Sequence, residues 1–239
     1  MSFLSIAHRG ASAEAPENTV AAFDQALALG FSHLELDAQL SADGEVVVIH
    51  DATLERTTNG HGPVAAMAGA ELAALDAGSW FHERFAGQRI PTLADVLRRY
   101  RGRAHLHLEL KSEEPTLAPA VARLLDEHGW LGTAVATSSE APLEAPVIIT
   151  SFHRTQLERA GPLLPDVPLA WLVPEITADV IAEDRTLGIR VACPRADLAT
   201  APSTRLAWEA GLAVRAHGVR SEADLVVAYH AGAQGSTVN

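Results

Sequence analysis

Two short stretches place charged side chains in pairs where β-strands would end. Glu35-Leu36-Asp37 and Glu109-Leu110-Lys111 each put two of them on one strand face, because side chains alternate along an extended chain. Three carboxylates meeting in a partly dry cleft repel one another, and a hard divalent cation such as Mg²⁺ or Ca²⁺ relieves that repulsion. Either pair alone could equally be solvated or paired with Lys and Arg. Together they predict a metal site formed by Glu35, Asp37 and Glu109.

Two histidines and two basic side chains accompany these acids. His8 and Arg9 follow the first predicted strand, and His50 ends a second strand-like run. Two imidazoles beside a phosphoester can act as general base and general acid, because a reference pKa of about 6.5 allows both protonation states near neutrality. Arg9 can hold phosphate oxygens in a bidentate fork, and Lys111 adds a point charge. We therefore predict catalysis by His8 and His50, and substrate binding by Arg9 and Lys111.

The other histidines are interpreted as structural, which is the commoner role for a lone histidine. Three share a strand face with the acids and are expected inside the fold, as packing or supporting groups: His33, His105 and His107. Five more are expected at the surface or in loops: His61, His82, His128, His153 and His230.

Short apolar strands alternate with amphipathic helical segments along most of the chain. Eight strands are predicted, at Leu4–Ala7, His33–Gln39, Ala104–Leu110, Val147–Ser151, Leu169–Val173, Ile189–Ala192, Leu212–Ala216 and Ser236–Val238. Repeated strand–helix units of this number favour an α/β fold of the (β/α)8 TIM barrel type, with a doubly wound open sheet as the alternative. Barrel enzymes build their sites at the carboxyl ends of the strands, where the acids lie.

The first helix and the segment after the second strand carry further local signals. Asn18 or Thr19 is expected to cap a helix that ends at Gly30 and whose apolar face includes Phe23, Ala26, Leu27 and Leu29. Residues of about 40–90 are too many for a simple loop, and we interpret them as a small insertion on the rim of a single domain spanning 1–239. Trp80, Phe81 and Phe85 are expected to form the small core of that insertion rather than the substrate mouth. Arg56, Thr57 and Thr58 are expected to shape its loop.

Composition excludes several classes of function. The 239 residues include 18 Lys and Arg against 30 Asp and Glu, a formal net charge of −12, which argues against nucleic-acid partners and anionic membrane surfaces. Cys193 is the single cysteine, so the chain has no internal disulfide and no zinc–cysteine cluster. No targeting segment or apolar run of membrane-spanning length is visible, which predicts a soluble cytoplasmic protein. Oligomeric state is not predicted.

The order of short motifs resembles the glycerophosphodiester phosphodiesterase family. The resemblance spans nearly the whole chain and rests on the set HRG (8–10), PENT (16–19), ELD (35–37), DGEVVVIHD (43–51), LERTTNG (54–60), IPTL (90–93), LELK (108–111) and SF (151–152). It implies a barrel with a small inserted segment and hydrolysis of glycerophosphodiesters to glycerol 3-phosphate and an alcohol. It also implies metal ligation by Glu35, Asp37 and Glu109, catalysis by His8 and His50, and phosphate contacts from Arg9 and Lys111.

Two late segments depart from the family pattern. His217 lies where the family usually has a tryptophan on the seventh strand, and Asn239 lies where an Asp is common. The first departure leaves open a non-catalytic module that binds phosphoesters. A related barrel phospholipase or lyase acting on intact lipids is a second alternative, although it would need an apolar or basic interfacial patch that the acidic sequence does not offer. The chain also ends after the eighth strand without a closing helix, so either the natural protein continues or that helix is dispensable.

Overall fold

A closed barrel of eight parallel strands organises the molecule. The computed structural model describes residues 3–132 and 141–239. Its barrel strands are β1 (Leu4–Ala7), β2 (His33–Leu40), β4 (His105–Leu110), β5 (Val147–Ser151), β6 (Leu169–Val173), β7 (Val191–Pro194), β8 (Ala213–Ala216) and β9 (Gly235–Val238). β1 pairs in parallel with both β2 and β9, which closes the ring. The predicted TIM barrel is confirmed, and the open sheet is not.

Helices join consecutive barrel strands. They are α1 (Val20–Ala28), α3 (Leu93–Tyr100), α4 (Leu117–Glu127), α5 (Arg154–Leu163), α6 (Ala178–Leu187), α7 (Ala201–Glu209) and α8 (Glu222–His230). Several begin at a Ser or Thr whose side chain accepts a backbone N–H of the first turn, as Thr19 does for α1 and Thr92 does for α3. Within the described ranges, no helix has the length and apolar character that a bilayer crossing requires.

The core lies between the strands and the helices. Leu34 and Leu36 of β2 are fully buried in a cluster that includes Phe23 of α1 and Leu97 of α3. Burying a leucine of this kind stabilises the fold by about 1.5–3 kcal/mol. Because side chains alternate, this outward packing fixes the intervening acids of β2 on the inner face of the barrel. The predicted apolar face of α1 was wrong at Leu29, which is 51% exposed because it follows the last helical turn.

The segment between β2 and α3 forms a small unit with its own aliphatic cluster. It contains β3 (Val46–Val48), which pairs antiparallel with β2, and the one-turn helix α2 (Gly69–Leu72). Its buried residues are Val47, Ile49, Leu54, Val64, Leu72, Ala77 and Ile90. The expectation of an aromatic core was wrong: Trp80, Phe81 and Phe85 contact one another edge to face but remain partly exposed, and Trp80 is 39% exposed.

Three histidines, His33, His105 and His107, lie together near the beginning of β2 and β4. The rings of His33 and His105 stack at 4.3 Å between centroids, and Nδ1 of His33 is 3.3 Å from Nε2 of His107. Burial lowers the pKa of His33 to about 4 and that of His107 well below its usual range. The rings of His33 and His107 are therefore neutral at physiological pH, and both pack inside the barrel beneath the acids.

Candidate active site

Register between neighbouring strands brings the three predicted acids together. Asp37 on β2 is the direct partner of Glu109 on β4, and Glu35 lies two residues before Asp37 on the same inner face. One oxygen from each carboxylate lies within 4.8 Å of the other two. All three residues are buried, with 0–8% of their surface exposed. The inner faces of two neighbouring strands thus create one compact acidic cluster.

Charge repulsion within this cluster is large. Burial, followed by the neighbouring charges of Asp37 and Glu109, raises the pKa of Glu35 well above its usual range. Burial and Asp37 likewise raise the pKa of Glu109 to about 7, although Lys111 opposes the shift. Nζ of Lys111 is 2.8 Å from Oε1 of Glu109 and 3.7 Å from Oδ1 of Asp37. Lys111 is thus a direct partner of the acids.

The cluster meets the chemical requirements of a divalent cation site. Oδ1 of Asp37 is buried and accepts no hydrogen bond from any described residue. The other carboxylate oxygen, Oδ2, accepts one from the amide of Asn18 at 2.7 Å, which fixes the orientation of the group. An all-oxygen donor set with one oriented free acceptor suits Mg²⁺ or Ca²⁺ rather than a softer metal. The residues present therefore fit such an ion.

A strained turn after β1 positions His8 and Arg9. Arg9 has a φ of +57°, which is uncommon for a residue with a side chain, and its N–H donates to Oε2 of Glu35 at 3.0 Å. Gly10 follows at φ +81°, where a Cβ would lie 2.6–2.8 Å from atoms of Ala22 in α1. Only glycine fits there, so α1 can press against the turn and hold it in place.

His8 and Arg9 both reach the acidic cluster from this turn. Nδ1 of His8 is 2.7 Å from Oδ1 of Asn239, and Nε2 is 3.9 Å from Oε2 of Glu35. Burial and the charge of Arg9 lower the pKa of His8 to about 4. Nε of Arg9 lies 3.3 Å from Oδ2 of Asp37. The structure therefore brings these two predicted residues to the predicted metal ligands.

His50 approaches the same cavity from the end of the β3 segment. Its Nδ1 lies 2.6 Å from Oδ1 of Asp51. Because a carboxylate accepts, Nδ1 must donate, and Nε2 therefore carries no proton when the ring is neutral. Gln39 of β2 supports the turn by donating to the backbone carbonyls of His50 and Asp51 at 2.9 and 2.6 Å. Burial lowers the pKa of His50, while Asp37 and Asp51 act in the opposite direction.

An ion-pair chain that the sequence analysis missed links His50 to Arg9. Oε1 of Glu17 accepts a hydrogen bond from Arg9 at 2.8 Å. Arg56 donates to both carboxylate oxygens of Glu17, each at 2.8 Å. Arg56 also donates to both oxygens of Asp51, at 2.5 and 3.0 Å. Arg56 thus does more than shape its loop. Its signal in the sequence was its place, with Glu17, inside two of the family-like motifs.

The first helix resolves another open question. Thr19 caps α1, whereas Asn18 adopts a φ of +56° and turns its amide toward Asp37. Its Oδ1 also accepts from the backbone N–H of Asp37 at 3.3 Å. Of the two residues that the sequence offered as the cap, Thr19 is the cap, and Asn18 instead holds Asp37.

The remaining wall of the cavity comes from the opposite side of the barrel. The cavity has a volume of about 310 Å³, and its far wall includes Phe152 after β5, Arg195 after β7, and His217 after β8. His217 occupies the position of the expected aromatic wall and packs edge to face against Phe152 at 5.2 Å. Its Nε2 donates to the carbonyl of Val173 at 3.1 Å.

Arg215 is a lining residue that the sequence analysis overlooked. It is 1% exposed, and its Nε and Nη1 have no hydrogen-bond partner among the described residues. Its charge lowers the pKa values of Glu35 and Glu109 against the larger effect of burial. The sequence did indicate it: Arg215 is the single charged residue in the apolar strand 212–216. Because side chains alternate along a strand, it lies on the same face as His217.

Comparison with known proteins identifies the family. Residues 8–239 match the family model described as the glycerophosphoryl diester phosphodiesterase family. The chain belongs to this family. It is therefore a member of a family of phosphoric diester hydrolases, as the ordered motifs of the sequence predicted.

Similar individual proteins support this assignment to the glycerophosphoryl diester phosphodiesterase family. A Bacillus subtilis (strain 168) glycerophosphodiester phosphodiesterase is 32% identical over 237 residues, which cover 93% of this chain and 78% of that protein. The YhdW protein of the same organism is 43% identical over 165 residues, or 69% of this chain and 63% of YhdW, so that alignment spans less than two thirds of its length. An Oleispira antarctica phosphodiesterase, solved with its product sn-glycerol-3-phosphate, superposes with a TM-score of 0.88 at 29% identity and covers 98% of this chain and 92% of that one.

Proposed function

We propose that this chain hydrolyses glycerophosphodiesters to glycerol 3-phosphate and an alcohol, assisted by Mg²⁺ or Ca²⁺ held by Glu35, Asp37 and Glu109. The observation that carries the proposal is the convergence of three carboxylate oxygens within 4.8 Å of one another on the inner faces of β2 and β4, with His8 and His50 lining the same cavity. The names of the relatives and the product bound to the Oleispira antarctica enzyme support the substrate class.

Each residue contributes a distinct step. A divalent cation held by Glu35, Asp37 and Glu109 would supply Lewis acidity to a phosphate oxygen and to an attacking hydroxyl. Arg9 and Lys111 bind the phosphate oxygens and stabilise the charge that grows on them during the reaction. One of His8 and His50 accepts the proton of the nucleophile, and the other donates a proton to the departing alkoxide.

The nucleophile in this proposal is the 2-hydroxyl of the glycerol moiety. Its attack on phosphorus forms a cyclic phosphate and releases the alcohol, and a water molecule then opens the ring. The same two imidazoles serve both steps with their roles exchanged. The first step leaves the charge of the phosphate at −1, so Arg9 and Lys111 can hold it throughout.

The two alternatives raised by the sequence have weaker support. The binding-module hypothesis rests on the altered segment at His217, but that change leaves all seven predicted site residues in place. The phospholipase hypothesis needs a patch that binds a lipid surface, and the net charge of −12 disfavours binding to an anionic membrane.

Phosphorus NMR of the products tests the proposed function. The purified protein with Mg²⁺ or Ca²⁺ should convert glycerophosphocholine to glycerol 3-phosphate, and a chelator should stop the reaction. H8A and H50A should each lower kcat by roughly 10²–10⁴-fold with the fold intact. H128A, which alters a loop histidine, is the matched control. Binding by calorimetry without product would favour the non-catalytic module, and accumulation of only the cyclic product would favour a lyase.

We infer that residues 1–239 form a single domain in which about 40–90 is an insertion; cooperative unfolding with one transition would support this. We also expect a cytoplasmic location, which cell fractionation would test.

A further inference from the structure

The two sides of the cavity differ in charge. The acids and both predicted catalytic histidines lie on or just after the strands β1 to β4. The opposite side carries three arginines, Arg195, Arg215 and Arg220. No carboxylate among the described residues lines the cavity on that side. In a chain with a net charge of −12, this concentration of guanidinium groups is a local feature that requires an explanation.

A simple phosphodiester does not account for all of these cations. It carries a single negative charge, which the predicted metal ion, Arg9 and Lys111 already face. Arg215 is buried beneath the cluster and acts on Glu35 and Glu109. Two positive side chains near the mouth are thus left without a counterpart in the phosphodiester group.

These two side chains, Arg195 and Arg220, are available for a ligand. Nε and Nη2 of Arg195 donate to Asp197 at 2.9 and 2.5 Å, which orients the guanidinium, and Nη1 has no hydrogen bond with any described residue. Arg220 is exposed, and its guanidinium has no hydrogen bond or ion pair with any described residue, although its charge helps to lower the pKa of Asp197. Only its backbone N–H is engaged, with Asp224 at 2.8 Å. Asp224 and Glu175 also act on Arg195 through space, but neither lines the cavity.

The same wall is unsuited to a cationic alcohol such as choline. Recognition of a quaternary ammonium group requires open aromatic faces. Phe152 is the sole Phe, Tyr or Trp among the described lining residues, and Nζ of Lys111 already lies 5.8 Å from its ring. His217, which takes the place of the expected tryptophan, donates its Nε2 proton to a backbone carbonyl.

We propose that Arg195 and Arg220 form an anion subsite for the alcohol portion of the diester, so that preferred substrates carry a second anionic group, such as a phosphomonoester, on that alcohol. This inference rests on the proposed function and specifies its substrate class. An additional phosphomonoester brings a charge of about −1.5 to −2 and three acceptor oxygens, which two guanidinium groups can bind together.

Competition between matched substrates tests the subsite. Glycerophosphoinositol 4-phosphate and glycerophosphoinositol differ only by the added phosphate, and glycerophosphocholine supplies a cationic alcohol. We expect kcat/KM to be about 10-fold higher for the phosphorylated substrate than for glycerophosphoinositol, with glycerophosphocholine lowest. R220Q should remove most of the 10-fold ratio, and rising salt should reduce it because the subsite is exposed. D197N, which releases Arg195, should increase the ratio.

The control is R205Q, which removes one charge from an exposed position on α7 outside the cavity. It should leave the ratio as in the unaltered protein. Equal kcat/KM for the two inositol substrates, a preference for choline, or an equal effect of R220Q and R205Q on the ratio would overturn the subsite while leaving the proposed function intact. Hydrolysis of none of the three substrates would instead overturn the proposed function, and the subsite with it.

Discussion

Asp51 accepts a hydrogen bond from Nδ1 of His50 at 2.6 Å, and Arg56 holds the same carboxylate from the other side. The bond from Arg56 and that from His50 lower the pKa of Asp51 to about 2, against the effect of burial. Asp51 is therefore ionised at any working pH. It fixes the tautomer of His50 and stabilises the imidazolium that forms when His50 takes a proton.

The first prediction concerns D51N. An amide of the same shape can donate as well as accept, so it no longer enforces the Nδ1–H tautomer. We expect kcat to fall by about 10²-fold with little change in Tm. D166N, at an exposed loop position, should behave like the unaltered protein. A D51N enzyme with unchanged kcat would show that Asp51 does not orient a reacting group.

The second prediction concerns the ion-pair chain from Arg9 to His50. Burial would raise the pKa of Glu17, but bonds from Arg56 and Arg9 lower it to about 2, so its charge is permanent near neutrality. E17Q should raise KM and lower kcat, each by about 10-fold, because Arg9 and Arg56 lose a shared partner. The double variant E17Q/D51N should be less impaired than the product of the single effects, since both act through Arg56.

Steady-state kinetics of the two single variants and the double variant measure this coupling. E209Q is the control, because Glu209 is exposed at the end of α7 and has no ion pair among the described residues. If the effects of E17Q and D51N on kcat simply multiply, the ion-pair chain does not couple Arg9 to His50.

The third prediction concerns Arg215 and metal affinity. Its buried charge compensates part of the acidic cluster when no cation is bound. Removing that charge should therefore strengthen metal binding. We expect R215M to bind Ca²⁺ about 10-fold more tightly at pH 8, and to show a larger rise in Tm on adding Ca²⁺. R215K keeps the charge and should resemble the unaltered protein in calorimetry. Equal Ca²⁺ affinity in R215M and R215K would contradict this role.

The fourth prediction is a pH dependence of stability at a site away from the cavity. Asp184 of α6 is 0% exposed, neither of its carboxylate oxygens has a hydrogen-bond partner among the described residues, and burial followed by Glu183 raises its pKa to about 7. A raised carboxyl pKa means that the folded state holds the proton longer than the unfolded state. The contribution of Asp184 to the free energy of unfolding should thus fall as pH rises from about 4 to 7.

D184N isolates this effect, because asparagine remains neutral. At pH 8 the variant should be more stable than the unaltered protein by about 2–4 kcal/mol, and the difference should vanish near pH 4. Urea unfolding at several pH values measures it, with D126N on the exposed face of α4 as the control. A difference that does not change with pH would contradict the account.

Patterns of period two explain what the sequence predicted well. Alternation along β2 and β4 placed Glu35, Asp37 and Glu109 on one face, and the structure brings them together because β2 and β4 are direct neighbours in the barrel. Strand boundaries were less accurate: the sixth predicted strand, Ile189–Ala192, is observed at Val191–Pro194, since its ends are set by pairing with β6.

The supporting contacts were less accessible to sequence reasoning. Glu17 and Arg56 are 39 positions apart, and only the tertiary fold brings them within 2.8 Å. The aromatic cluster at Trp80 was placed in a core because aromatic residues favour burial, yet shorter aliphatic side chains fill that space. Local pattern predicts which face a residue occupies, but not which distant charge it will meet.

The central claim is that one cation, bound by Glu35, Asp37 and Glu109, serves the hydrolysis. The most direct measurement is a Ca²⁺ or Mg²⁺ titration of the metal-free protein, followed in parallel by calorimetry and by release of glycerol 3-phosphate. The account predicts a single site, half-saturation of binding and of activity at the same metal concentration, and loss of both in D37N. Full activity in metal-free protein, or an unchanged titration in D37N, would contradict it.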